Sequence, residues 1–372
     1  MIYLDNAATT FMFEKAVDIY KKYACQSFFN PSAGYREAID IARQLQDARL
    51  RLLEKMSATR GNIIFTSGAT ESNNLAIMGS KRNGKWEYIF SVGEHPSVYN
   101  TAKELEAQGH KVYFVGLDSK GHVDYAQLAS LLSDKTRLVS VMHVSNETGA
   151  ENDIQKIVAF VKDKAKNALI HVDGVQAFCK IPVNIDALGV DFYTISAHKF
   201  HGPKGVGALY VKNPATIKNI VFGGGQENGL RSGTENVAGI MAMDFVLSQI
   251  DVKKNYEYVS LLRDQFVAVL AQNCNVDVLQ CESPYILSVG FMGVNGETLM
   301  RALQDYGIIV GMGSACSAKK AGNRILENIG YGKDEIKSRI RISFNEFLSV
   351  EEVAKAAQTI LEVYKEIWEK VK

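Results

Sequence analysis

Short apolar runs, rich in β-branched and aromatic residues, recur along this chain between longer stretches of helical periodicity. Asn62–Thr66, Tyr88–Ser91, Lys111–Val115, Arg137–Met142, Asn167–Asp173 and Phe192–Ile195 each have the length and composition of a buried strand. Helical patterns lie between them. Over Tyr35–Met56, Ile39, Ala42, Leu45, Leu52 and Leu53 fall at roughly helical spacing. Strands alternating with helices predict an α/β fold with a largely parallel sheet covered on both faces. Gly207–Val211 reads as the hairpin partner of Phe192–Ile195.

Past the glycine cluster Gly223-Gly224-Gly225 the rhythm changes. One long helical stretch is predicted from about Val237 to Ala271. A second strand-rich set follows, with Tyr285–Val289, Ile308–Val310 and Arg339–Phe344, and Val350–Val371 reads as a closing helix. At 372 residues the chain exceeds what one core usually organises. The boundary is expected inside the long helix near 250. That gives a large domain of residues 12–250 and a smaller α+β domain built from 1–11 and 251–372.

Composition narrows the function classes. With 47% hydrophobic and 22% charged residues the chain has the make-up of a soluble globular protein. A formal net charge of +1 gives no global electrostatic reason to bind nucleic acid or an anionic membrane. Met1–Asn6 lacks the regions of a signal peptide, and no apolar run approaches the length of a membrane span. The five cysteines are odd in number and never spaced Cys-x-x-Cys, which argues against a disulfide framework or a closed zinc site. That usage fits a reducing cytoplasm.

The candidate chemistry gathers where strands end, which in open α/β sheets is where ligands sit. Ser196, His198 and Lys199 follow the Phe192–Ile195 run, before the turn Gly202-Pro203. A lysine at the rim of a buried strand can lose its charge by desolvation and become a nucleophile; a solvated lysine is the plainer alternative. Ser67-Gly68-Ala69-Thr70 turns a strand into a helix. Its small residues can expose backbone N–H groups to a phosphate, or can serve as an ordinary N-cap. His95, Asn146, Asp173 and Gln176 occupy comparable positions after other runs. Asp173 closes an apolar strand, which is costly for a carboxylate without a partner. It suits either a pyridinium N–H or a helix N-cap. A lysine for covalent attachment, a carboxylate for a ring nitrogen, an imidazole for stacking and a phosphate cradle together fit pyridoxal 5'-phosphate.

These residues resemble the cysteine desulfurases, the NifS/IscS-like branch of the class V aminotransferase family of pyridoxal-phosphate enzymes. The resemblance spans essentially the whole chain. It is carried by Tyr3–Thr10, Ser67–Asn74, Glu94-His95, Ser145–Gly149, His171–Gln176, Ser196–Lys199, Arg231–Thr234 and Gly313-Ser314-Ala315-Cys316. It implies the fold-type-I architecture, a large domain with a mostly parallel seven-stranded sheet between helices plus a smaller α+β domain. By the same resemblance Lys199 is the covalent anchor and proton carrier. His95 stacks on the cofactor and assists acid–base steps, Asp173 meets the pyridine nitrogen and Gln176 the phenolic oxygen. Thr70, Ser196 and His198, with Ala69 in the same turn, hold the phosphate, and Thr234 reaches it from the other subunit of a homodimer. Arg341 takes the carboxylate of L-cysteine in the bidentate geometry arginine favours, with Asn146 beside it. Arg339 is expected to be a surface charge.

Cys316 separates this branch from the aminotransferases. It stands among small and polar residues, and Lys319 and Lys320 nearby favour its thiolate. Cys25, Cys179, Cys274 and Cys281 are expected to be structural, as small buried hydrophobes. The resemblance implies that Cys316 takes the substrate sulfur as a persulfide, releases alanine and passes the sulfur to an acceptor protein. That acceptor is expected to be an iron–sulfur scaffold or a tRNA sulfurtransferase. The run Lys319–Arg324 departs from the Ser-Leu-Glu-Pro-type run of housekeeping iron–sulfur members and looks similar to desulfurases that serve tRNA thiolation. A selenocysteine lyase, an aminotransferase or a non-catalytic relative would share much of this motif set.

Overall fold

A computed structural model describes residues 1–313 and 323–371. Its strands are β1 (Ile2–Leu4), β2 (Asn62–Thr66), β3 (Glu87–Ser91), β4 (Lys111–Val115), β5 (Thr136–Met142) and β6 (Leu169–Asp173). They continue as β7 (Phe192–Ser196), β8 (Gly207–Val211), β9 (Val276–Leu279), β10 (Ile286–Phe291), β11 (Ile308–Val310) and β12 (Arg339–Ser343). Seven form one sheet in the order β2-β8-β7-β6-β5-β3-β4. The pairs β3–β4, β3–β5, β5–β6 and β6–β7 are parallel, and β8 runs antiparallel to both β7 and β2. The chain is therefore α/β with a mostly parallel seven-stranded sheet, as the strand–helix alternation requires.

Side-chain alternation along the strands feeds two cores. Ile63, Phe65, Ile89, Val139 and Val141 face one side. Ile64, Tyr88, Phe90 and Leu138 face the other. This period of two is what a sheet covered on both faces demands. A separate core joins β10, β11 and β12 to the helices Val252–Leu270, Gly296–Asp305 and Val350–Val371, and it includes Leu4 and Ala7 from the N-terminus. Segment 5–10 then crosses to the large sheet. Asn6 Nδ2 donates to the Ser343 carbonyl at 2.9 Å, and Thr10 N donates to the His198 carbonyl at 2.9 Å.

Three expectations are corrected. The predicted helix Val237–Ala271 is two helices, Val237–Gln249 and Val252–Leu270. Asp251 caps the second through Lys254 N, and the side-chain-to-backbone bond breaks the run although apolar periodicity continues through it. Arg339 is buried at 2% exposure, donating to Ser288 Oγ at 3.0 Å and pairing with Asp277 at 2.5 Å. Cys25 and Cys274 are exposed rather than packed, whereas Cys179 is buried and Cys281 half-buried.

Candidate active site

The C-terminal ends of β5, β6 and β7 open onto a cavity of about 640 Å³. Its lining brings together Ala69, Thr70, His95, Asn146, Asp173 and Gln176 with Ser196, His198, Lys199 and Arg341. These come from six separate stretches of sequence. Thr234 is exposed and does not line this cavity. Cys316 lies outside the described residues.

Lys199 ends the short 3-10 turn Ala197–Lys199 that follows β7. Its Nζ donates to the carbonyls of Ala7 at 2.6 Å and Ala8 at 2.8 Å. Burial, reinforced by the Arg341 charge, pulls its pKa down to about 8. Desolvation penalises the ammonium more than the amine, so a sizeable neutral fraction exists near physiological pH. The lysine is thus poised as a nucleophile, with partners that aim its nitrogen.

Asp173 closes β6. Its Oδ2 accepts from Asn73 Nδ2 at 2.9 Å and its Oδ1 from Val175 N at 3.1 Å. The backbone-capping alternative is therefore part of the answer, since one oxygen holds the turn while the residue still lines the cavity. The other proton of Asn73 Nδ2 goes to Ser97 Oγ at 2.9 Å. That leaves the Ser97 hydroxyl proton for His95 Nδ1 at 2.8 Å, which also accepts from Ser97 N at 3.2 Å. A nitrogen that accepts a backbone N–H carries no proton, so neutral His95 holds its proton on Nε2. Burial lowers the His95 pKa, which favours this neutral form. In the sequence Asn73 and Ser97 carry no sign of this role. Their hydrogen-bonding side chains are visible there, but not the link they make between β6 and His95.

At the other wall Arg341 Nη2 donates to Asp5 Oδ1 at 2.8 Å and Nη1 to the Asn146 carbonyl at 2.9 Å. Arg341 Nε and Asn146 Oδ1 are buried and have no partner among the described residues. Buried polar groups without partners are unusual and call for an occupant. The pair offers one donor and one acceptor to whatever fills the cavity. Asp5 was quoted only as part of a motif, and its hold on Arg341 was not anticipated. His198 donates or accepts with Thr9 Oγ1 at 3.1 Å, and burial lowers its pKa to about 4, so it is neutral. Near Thr70, Gly207 is required by close approach, because a Cβ there would lie 2.7 Å from Gly68 Cα. Lys204 adds a cation to the rim that was not foreseen.

The backbone of Gly311 pairs with that of Arg341, and a Cβ on Gly313 would lie 2.2 Å from Glu147 Oε2. The chain therefore leaves for Cys316, three residues on, from the wall that carries Arg341 and Asn146. On the far side, Arg324 donates to the Val92 and Glu94 carbonyls in the turn that leads to His95. Among the described residues no group of His, Cys, Asp or Glu could hold a metal ion, and no helix is long and apolar enough to cross a membrane.

A mostly parallel α/β sheet with a lysine of lowered pKa, a carboxylate and a small-residue strand-to-helix turn at its strand ends defines the class. The chain belongs to the class-V aminotransferase family, whose model matches residues 2–355. Within that family the similarity is to cysteine desulfurases. A protein of Trichormus variabilis named cysteine desulfurase 2 is 34% identical over 96% of this chain and 92% of its own length. The cysteine desulfurase IscS of Dictyoglomus turgidum is 37% identical over 85% and 82%. A solved NifS-like protein superimposes with a TM-score of 0.91 at 32% identity over 98% of this chain and 99% of that one. A structure described as SspA in complex with cysteine matches with a TM-score of 0.81 at 28% identity, over 94% of this chain and all of that one. Both families depend on pyridoxal phosphate.

Proposed function

We propose that this protein is a cysteine desulfurase that uses pyridoxal 5'-phosphate to remove sulfur from L-cysteine. Sulfur becomes a persulfide on Cys316, L-alanine leaves, and an acceptor protein takes the sulfur. The observation that carries this reading is the cavity itself. A lysine of lowered pKa, a strand-end carboxylate and a neutral imidazole share it with a buried arginine whose Nε has no partner among the described residues. The donor set fits the cofactor. Lys199 is the group to hold it covalently, and Asp173 the group to face its ring nitrogen. Ala69, Thr70, Ser196 and His198 would cradle its phosphate, and Gln176 would be the partner for its phenolic oxygen. Thr234 is read as serving the neighbouring site of a homodimer, which suits its exposure and its absence from its own cavity. Bound pyridoxal phosphate supplies an electron sink for the charge left when the substrate's α-proton is removed.

The chain's own residues do the rest. Arg341 binds and orients the cysteine carboxylate, its Nε having no partner among the described residues, and Asn146 Oδ1 beside it can accept an N–H from the substrate. Lys199, as a neutral amine, would take the substrate's α-proton. His95, with its proton on Nε2, can give or take a proton on the ring side of the cavity. The Cys316 thiolate attacks the substrate sulfur. The new S–S bond forms as the carbon–sulfur bond breaks, and the electron pair left on that carbon takes up a proton to give alanine. Cysteine and enzyme thiol thus become alanine and enzyme persulfide with no outside oxidant.

The purified protein should show the visible absorbance of lysine-bound pyridoxal phosphate, and L-cysteine should yield alanine and a persulfide at Cys316. The Cys316→Ser variant should keep the absorbance and lose sulfur transfer. A keto acid as product, or selenide release without activity on cysteine, would replace this reading by an aminotransferase or a selenocysteine lyase. An absent absorbance band would point to a non-catalytic protein.

A further inference from the structure

A second lysine lies behind the cavity, and the chemistry above makes no use of it. Lys180 is 6% exposed, a rare state for this residue type without a strong partner. Its Nζ donates to Gln176 Oε1 at 2.7 Å. Around it stand the Tyr285 ring at 5.7 Å, the Glu346 carboxylate, the Cys179 thiol and the positive charges of Lys199 and Arg341. Burial and the two cations lower its pKa to about 7, against the opposing pull of Glu346.

The geometry settles how Gln176 is turned. An amide side chain can present either end, but an ammonium group has only donors. Oε1 must therefore face Lys180. Nε2 then donates to the Ala7 carbonyl at 2.9 Å, the same carbonyl that receives Lys199 Nζ at 2.6 Å. One proton of Nε2 is left, and it is what Gln176 can offer to the cavity it lines. The Ala7 carbonyl favours the same orientation from one end of the amide, and Lys180 secures it from the other.

We propose that Lys180 is a positioning residue that acts through Gln176, capping its carbonyl so that an N–H, and never an oxygen, faces the phenolic oxygen of the cofactor. The inference rests on reading the cavity as a pyridoxal-phosphate site. It makes the chain Lys180–Gln176–Ala7–Lys199 one hydrogen-bonded unit, in which a side chain outside the cofactor's reach sets the polarity of a group that touches it. An amide free to turn would present an oxygen to the ionised phenolic oxygen for part of the time, and repel it.

The test is a double-mutant cycle on cofactor-stripped protein, with pyridoxal phosphate itself as the probe. Dissociation constants are read from absorbance titrations of the wild type, Lys180→Met, Gln176→Ala and the double variant. Loss of an N–H to a charged oxygen should weaken binding by about 10-fold or more in Lys180→Met. In the Gln176→Ala background the same substitution should change the constant by less than about 2-fold, the size of an uncoupled pair. Equal losses in both backgrounds, or no loss in either, would overturn the role. Should Lys180→Met not fold, the wild type answers alone through the ¹⁵N side-chain amide signal of Gln176 in the stripped protein. Its amide protons should show no nuclear Overhauser contact with the Lys180 side chain, and a strong contact would place Nε2 against Lys180 and sink the idea. Wild-type protein that binds no pyridoxal phosphate overturns the functional reading. Wild-type protein that binds it while Lys180→Met matches it overturns only the role of Lys180.

Discussion

Removing one arginine should loosen the short helix that begins at Asn323. Arg324 sits at the start of the six-residue helix Asn323–Asn328, eight residues after the cysteine. Its Nε and Nη2 donate to the Val92 and Glu94 carbonyls at 2.6 Å each, and its guanidinium lies 3.6 Å from the centre of the Tyr99 ring. The rest of the helix is held by Leu326 and Ile329 packed with Ile336, and by Asn328 Oδ1 accepting from Leu117 N at 2.6 Å. So short a helix has little stability of its own and depends on its docking. Two hydrogen bonds from a charged group, about 1.5–3 kcal/mol each, and a stacked cation of about 0.5–2 kcal/mol make up the gross contact. Desolvation of the guanidinium offsets part of this, leaving a net loss of about 2–4 kcal/mol in Arg324→Ala. At 1.4 kcal/mol per tenfold, local opening should become roughly 30- to 700-fold more frequent. Hydrogen exchange at the amides of 325–329 reads this directly, since these amides report local rather than global opening. Arg324 also braces the turn that leads to His95, so affinity for pyridoxal phosphate should fall, though by far less than exchange rises, while persulfide formation on Cys316 slows. Exchange unchanged within about 3-fold would show that the apolar contacts alone dock the helix, and the reasoning from Arg324 would be wrong.

Three further outcomes are expected. Asn73→Leu takes one partner from Asp173 and one from Ser97, so affinity for pyridoxal phosphate should fall by about 10-fold, while the Ser97 backbone N–H keeps the His95 proton on Nε2, as read by ¹⁵N imidazole shifts. Arg341→Gln removes a charge that lowers the Lys199 pKa, so the midpoint for attack of Lys199 on pyridoxal phosphate should rise from about 8 in the stripped variant; a fixed or lower midpoint would contradict the electrostatic origin. Burial holds His143 to a pKa of about 4 and His171 to about 3. Both are depressed below the unfolded value, so their contribution is complete above pH ~6.5 and is lost as pH falls from there toward the folded values. Each contributes about 1.4 kcal/mol per pH unit over that window, and urea midpoints measured at pH 7 and 4.5 should separate accordingly, with His171→Asn reducing the separation.

Legibility from sequence followed the kind of information each residue carries. Asp173, Ser196 and Lys199 could be placed because they close apolar runs, and periodicity locates the ends of runs. Arg339 was misplaced because one strand carries two arginines two apart, on the same face, and nothing local tells them apart. The difference is made across the sheet. Arg339 lies opposite Gly290, where a Cβ would come within 3.0 Å of its guanidinium, while Arg341 lies opposite Ser288 and reaches Asp5. The break near Asp251 was hidden for a related reason. Apolar periodicity continues through it, and a cap is decided by one side-chain bond.

Lys204 at the rim aside, the residues that sequence could not supply share a property: each acts on another residue and not on the ligand. Asn73 works on Asp173, Asp5 on Arg341, and Lys180 on Gln176. Their side-chain types fit many roles, and only a partner distant in sequence selects one. The extreme case has no side-chain signature at all. The Ala7 carbonyl accepts both Lys199 Nζ and Gln176 Nε2, so the lysine and the amide share one acceptor contributed by an alanine. What fixes that oxygen is the path of segment 5–10, tied to Ser343 through Asn6 and to His198 through Thr10. The Ala7 N–H in turn donates to Ser343 Oγ at 2.9 Å. The nucleophile of the large sheet is therefore aimed by backbone that is anchored in the other core. A substitution at Asn6 or Ser343 should move Lys199 without touching it, which ties the geometry of the cavity to the packing of both cores.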